Sequence, residues 1–230
     1  MCFSAQASFT AAAILLPAGA ASVYKAHRTD RRYLALSALP LLFGLQQLFE
    51  GMVWISGEAG NMAAVLHYSL AYMFFSWLAW PVWVPVACYF LEPDSRRPLY
   101  LVFIILGAML GGAQYLPYFM HQGWLMVSFL PHAIAYGGTL LSDVFVSREF
   151  TLLIYVTAVI VPLIIATKKE VRIFGFLVAL VLATTSAFFQ FAYISVFCFG
   201  GALMSSYLVA MIFCRARHPA ENAASEEAQP

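Results

Sequence analysis

The sequence predicts an all-α, polytopic membrane protein, and three observations carry that prediction. Of 230 residues, 63% are hydrophobic and only 10% are charged, against a charged fraction of about 25% in soluble domains. Mean hydropathy is +0.82. The apolar residues form continuous runs rather than a period-two alternation; in lipid only helices and closed barrels satisfy their own backbone, so the runs read as helices. The basic residues gather at every second gap between those runs, the pattern that orients a multi-pass chain.

A helix needs about 20 mostly apolar residues to cross the hydrocarbon core. Seven runs are candidates: Gln6–Tyr24, Tyr33–Ser56, Met62–Leu91, Leu99–Phe119, Phe150–Thr167, Val171–Phe189 and Ala192–Cys214. The third exceeds what a bilayer requires, which implies tilt or extension beyond it. Pro17, Pro40, Pro81, Pro85 and Pro162 lie within runs, where each removes a backbone donor and favours a kink. Gly107 with Gly111, Ala11 to Ala13 and Gly200-Gly201-Ala202 let helices approach closely, with packing inside one bundle favoured over a dimer face.

Lys25, Arg28, Arg31 and Arg32 follow the first run, Arg96 and Arg97 the third, Lys168, Lys169 and Arg172 the fifth, and Arg215 and Arg217 the seventh; Arg148 alone falls in the other set of gaps. The amino terminus is therefore expected outside and the carboxyl terminus in the cytoplasm. No basic residue precedes the first run, so it reads as a retained span rather than a signal peptide. The organisation that follows is a seven-helix transmembrane domain over 1–217 and a disordered cytoplasmic tail over 218–230. An external loop of about 120–149 is broken by Gly123, Pro131 and Gly137-Gly138 and could hide a re-entrant or interfacial helix.

Single absences weaken two seven-helix readings. A retinal protein needs a lysine inside its seventh helix, whereas Lys25, Lys168 and Lys169 all lie at the basic face. Zinc hydrolases related to alkaline ceramidases carry a late His-x-x-x-His pair, whereas no histidine lies between His132 and His218. Nothing in the charge pattern suggests nucleic-acid binding.

The informative residues are polar ones at membrane depth. Glu50 lies inside the second run, where a charge at the bilayer centre costs about 2.5–3.5 kcal/mol on insertion scales. Gln46 is four residues earlier on the same helical face, within reach of that carboxyl group. Across the short turn 57–61, His67 starts the next run at a similar depth. Two readings stay open. Glu50 and His67 can form a buried pair with Gln46 or Gln47 that fixes helix register, or they can ligate a divalent metal such as zinc. A proton relay or a small-molecule pocket would use the same groups. The preferred third metal ligand is His132, on an apolar stretch from Met126 to Tyr136 that can fold back over the helix mouths; His121 and Cys2 are alternatives. Tyr115, Tyr118, Gln190 and Tyr193 are at matching depth for supporting hydrogen bonds. A disulfide between Cys2 and Cys198 is conceivable in an oxidising compartment, as are two separate thiols. Trp54, Trp77, Trp80, Trp83 and Trp124 read as packing and interface aromatics rather than a cation cage.

The opening Met1-Cys2-Phe3-Ser4-Ala5, continuing through Ser8-Phe9, and the segment Gln46-Gln47-Leu48-Phe49-Glu50-Gly51 with Trp54 resemble a family of uncharacterised bacterial multi-pass membrane proteins. The likeness is clearest over the first two runs. It implies a bacterial inner (cytoplasmic) membrane location and carries no catalytic role. The functional expectation is a ligand- or metal-binding sensor with a polar pocket near the external face, formed by Gln46, Gln47, Glu50, His67, Tyr115, Gln190 and Tyr193. Its metal set would be Glu50, His67 and His132. The alternatives are an intramembrane metal-dependent hydrolase, in which Glu50 is base rather than ligand, and a small-solute transporter, for which no inverted repeat is evident.

Overall fold

The computed structural model describes residues 4–121, 123–130, 133–139, 147–188 and 193–217. Helix dominates: α1 is Ala5–Thr29, followed by a 3-10 turn at Arg31–Tyr33, α2 is Leu34–Ser37, and α3 is Leu39–Glu58. Next come α4 (Met62–Met73), a π-helical segment (Phe74–Ala79), α5 (Trp80–Leu91), α6 (Arg97–Met120), α7 (Arg148–Ile164), α8 (Lys169–Phe188) and α9 (Tyr193–Arg217). Among the described residues, six helical stretches are long and apolar enough to cross a membrane, with Arg31–Glu58 and Met62–Leu91 each counted as one. The protein is thus mostly helical and multi-pass in character. The shorter exception is α7, with 17 residues.

Local chemistry sets the helix ends. The Ser4 hydroxyl accepts from Ala7 N at the start of α1, and Ser147 accepts from Phe150 N at the start of α7, both as N-caps. At the turn between α1 and α3, the Asp30 carboxylate accepts from Arg32 N and from its guanidinium. The first helix then packs along α3 and α9, burying Ala11, Ala12 and Leu15.

The third run is not one regular helix. Pro81 supplies no N–H to the turn before it, and the chain widens into a π-helical turn at Phe74–Ala79. The carbonyl of Ser76 instead accepts the Tyr155 hydroxyl, at 2.7 Å. On the outer side α6 closes against the same region: a Cβ at Gly107 would strike the Pro81 carbonyl, and one at Gly111 the Trp77 carbonyl. This pair of glycines therefore serves contact within one bundle, where backbone must meet backbone.

Within 120–149, the segment read as an external loop that could hide a helix, the described residues between α6 and α7 are extended. Leu125–Leu130 (β1) and Ala133–Gly138 (β2) form an antiparallel hairpin, with Leu125 opposite Gly138 and Leu130 opposite Ala133. Val127, Phe129, Ile134 and Tyr136 favour extended backbone, which explains strand over helix. The hairpin is fastened to helix ends by Phe129 against Trp54, ring centroids 5.9 Å apart, and by Tyr136 stacked on Tyr72 at 4.8 Å.

At the basic end of the bundle, Glu92 follows α5 and is 2% exposed. Its carboxylate accepts from Thr167 N at 2.6 Å and from the Thr167 hydroxyl, with Arg96 at 3.4 Å. Arg96 also donates to Ile165 O. Nearby, Arg215 lies over the Tyr33 ring at 4.4 Å and 3.7 Å from Glu170. These contacts tie the α5, α7–α8 and α9 ends together.

Candidate functional site

Three positions on α3 point into the bundle: Gln46 and Gln47 are fully buried and Glu50 is 2% exposed. Their spacing of three and four residues puts them on one broad helical face. Glu50 Oε1 accepts from the Ser195 hydroxyl of α9 at 2.5 Å. Ser8 of α1 and Gln47 lie against the same carboxyl group. The Gln47 amide is beside Glu50 but outside hydrogen-bonding geometry, so neither of its polar atoms has a partner among the described residues.

Gln46 does not reach Glu50, contrary to the reading from helical spacing. Its amide donates to Ser76 Oγ at 2.9 Å and its carbonyl accepts from Trp80 Nε1 at 3.1 Å. Ser76, in the π-helical turn, is 3.5 Å from Cys198 Sγ of α9. Tyr72 completes the cluster, its hydroxyl directed to Ile194 O and adjacent to Cys198. These groups form a buried polar layer between α1, α3, the π segment and α9, in two hydrogen-bonded sets: Glu50 with Ser195, and Gln46 with Ser76, Trp80 and Cys198. Cys198 is buried; Cys2, with which the sequence allows a disulfide, lies outside the described residues.

The remaining sequence candidates divide. His67 is exposed, with its ring edge-on to Tyr68, and makes no hydrogen bond to Glu50. The helical turn that separates them carries its side chain outward while Glu50 points in, so the proposed pair is not assembled. Tyr115 donates to Leu70 O at 3.1 Å and serves the packing of α6 on α4. His132, Gln190 and Cys2 lie outside the described residues, as does the side chain of Tyr193; the tail 218–230 does too. Among the described residues no three His, Cys, Asp or Glu side chains gather to hold a metal. His121 stacks on Trp124 at 4.3 Å. Ser76, Ser195, Cys198, Tyr72 and Tyr136 were not legible as site residues, since small hydroxyls and thiols barely lower the hydropathy of a span.

Two clefts adjoin the polar layer. The inner one is almost wholly apolar, enclosing about 490 Å³ with its open side, and lies between the π segment and α7, α8 and α9. Ser76, Tyr155 and Cys198 are its polar wall; Leu152, Val156, Val159 and Phe197 are among its apolar lining. The outer cleft, about 520 Å³ with its open side, is lined by Tyr118, Tyr136, Gly138, Arg148 and Thr151. Trp77, Leu152 and Ile194 line both.

A mostly helical, multi-pass membrane protein with a buried polar layer beside two clefts is the class that fold and site define. The sequence model of a family of unknown function, DUF6629, matches residues 1–225, and the chain belongs to that family. No curated protein and no solved structure matches it.

Proposed function

We propose that the protein is a ligand-binding membrane protein of the sensor type that crosses the bacterial inner membrane seven times, amino terminus outside and carboxyl terminus inside. Support for the crossings comes from six helical stretches of spanning length together with α7, which packs among α5, α6 and α8. Support for the orientation is the placement of every basic residue but Arg148 in the alternate gaps.

One observation carries the binding role. Glu50 is a buried carboxylate with no cation beside it among the described residues, and its partner Ser195 stands one turn of α9 from Cys198, which with Ser76 lines the inner cleft. Ionisable groups kept inside a membrane protein are costly and are retained for work. Occupation of the cleft would press on Ser76 and Cys198 and be felt at α3 and α9, which is how a sensor couples binding to helix position.

A second reading, divalent metal binding, is favoured by the same missing countercharge: a bound ion such as zinc would supply it. Glu50 would be the first ligand, joined by His132 and, if it turned inward, by His67.

The protein purified without chelators tests both by native mass spectrometry and elemental analysis. The expected result is a stoichiometric small-molecule adduct that Val156→Trp, which fills the inner cleft, removes while the helical fold is kept. Stoichiometric metal lost in Glu50→Gln would instead establish the second reading. Wild type carrying neither, with Val156→Trp no different from it in thermal midpoint, sinks both.

A further inference from the structure

We infer that the Glu50 set of the polar layer is the binding site for one alkali-metal cation, held by oxygens of Glu50, Gln47, Ser8 and Ser195. This rests on the reading in which a bound ion supplies the countercharge of Glu50, and it gives that ion a different charge and a different set of ligands. Gln47 is fully buried, and neither its amide nitrogen nor its carbonyl oxygen has a hydrogen-bond partner among the described residues. Its side chain lies against the Glu50 carboxyl group. Native interiors seldom leave a buried amide unmet, because its desolvation is then uncompensated. A carbonyl oxygen without a donor, next to a carboxylate without a countercharge, is a pair that a single cation satisfies.

Three helices supply the oxygens. Ser8 lies near the start of α1, Gln47 and Glu50 lie on α3, and Ser195 lies near the start of α9; these helices pack on one another in all three pairs. A serine hydroxyl is donor and acceptor at once. Ser195, which donates to Glu50 Oε1 at 2.5 Å, can therefore turn its lone pairs toward a cation by rotating its hydrogen. Each of the four side chains offers oxygen, the ligand of hard cations, whereas imidazole and thiolate draw transition ions. His67 faces outward, and the Cys198 thiol belongs to the Ser76 set. Charge then decides the valence. No Lys, Arg or His among the described residues acts on Glu50, and the starts of α1 and α9 bring only partial positive charge. A monovalent ion closes the balance to zero. A divalent ion would leave a whole positive charge buried, which a low-dielectric interior disfavours just as it disfavours the bare carboxylate.

The test is made on the full chain in neutral detergent or nanodiscs, titrated with sodium or potassium chloride against choline chloride at constant ionic strength, with the thermal midpoint as readout. Sodium or potassium should raise the midpoint saturably, as a ligand of the folded state does, and the better of the two assigns the ion's size. Glu50→Gln should abolish the response. Gln47→Leu is the sharper variant, and it serves alone if Glu50→Gln fails to fold. The polar atoms it removes have no protein partner, so its midpoint in choline should not fall. Its half-saturating alkali concentration should rise about tenfold, the factor of one lost polar ligand. Equal midpoints in sodium, potassium and choline overturn the inference. So does an alkali response that persists in Glu50→Gln or is unshifted in Gln47→Leu. A saturable response to magnesium or zinc chloride, with none to either alkali ion, also overturns it but leaves the divalent reading standing; no response to any of the four removes both. The cleft adduct is tested separately by Val156→Trp and survives each of these failures.

Discussion

Glu50 and Glu92 are buried to the same degree, each 2% exposed, and their surroundings differ in every other respect. Glu92 is closed on all sides by the protein's own groups: an N–H and a hydroxyl from Thr167, and Arg96 within 3.4 Å. Its charge has a countercharge and its oxygens have donors, so it behaves as a clamp between the end of α5 and the α7–α8 connection. Glu50 receives one hydroxyl, from Ser195, with Ser8 and an unsatisfied Gln47 amide beside it. The difference teaches that burial alone does not mark a functional carboxylate. What marks it is burial that the fold leaves without a countercharge.

The comparison first requires that the two carboxylates sit toward opposite faces of the membrane, and that test is all-or-none. In a background lacking native cysteines, Glu58→Cys at the exposed end of α3 should be labelled by an impermeant maleimide in intact cells. Asp94→Cys, beside Glu92, should be labelled only after permeabilisation. The reverse pattern, or an external reporter fused after Arg217, would invert the orientation.

The next largest effect is on stability. Glu92→Ala leaves the Thr167 N–H and hydroxyl without an acceptor and Arg96 without its anion; with Arg96 partly solvent-screened, the expected loss is about 2–4 kcal/mol in denaturant unfolding from mild detergent. Thr167→Val in the same background should cost far less than it does alone, because its partner is already gone. Additive losses in that double-mutant cycle would mean that Glu92 is not the clamp described.

Much of the architecture was legible because hydropathy and charge are additive along the chain. The helical runs follow from uninterrupted apolar residues, and Gln46, Gln47 and Glu50 stand out because polar side chains inside such a run must face protein. The π-helical turn was only half legible: Pro81 announced a disturbed helix, but the widening depends on Tyr155 taking the freed Ser76 carbonyl, a contact 79 residues away in sequence. In the 120–149 segment the glycines and the proline mark a loop, while the β-branched and aromatic residues that favour the hairpin do not stand out in so apolar a chain. The partner of Glu50 was missed for a related reason. His67 is near in sequence and chemically conspicuous, whereas Ser195 is 145 residues away and inconspicuous; an isolated serine costs a span almost nothing and so leaves no trace in a hydropathy profile.

The smallest expected effect is also the sharpest discriminator. Glu50→Gln keeps the shape and an acceptor for the Ser195 hydroxyl while removing a charge that has no countercharge among the described residues. Removing such a charge relieves desolvation about as much as it loses hydrogen-bond strength, so unfolding free energy should move by less than about 1 kcal/mol in either direction. A structural clamp would not tolerate the exchange so easily, because there the charge itself is paired. The same variant should nevertheless change what the protein carries: adduct affinity falls if the polar layer reads the cleft, and bound metal falls if an ion supplies the countercharge. A loss of stability as large as that of Glu92→Ala, with ligand and metal content unchanged, would make Glu50 a second clamp and return the site to plain architecture.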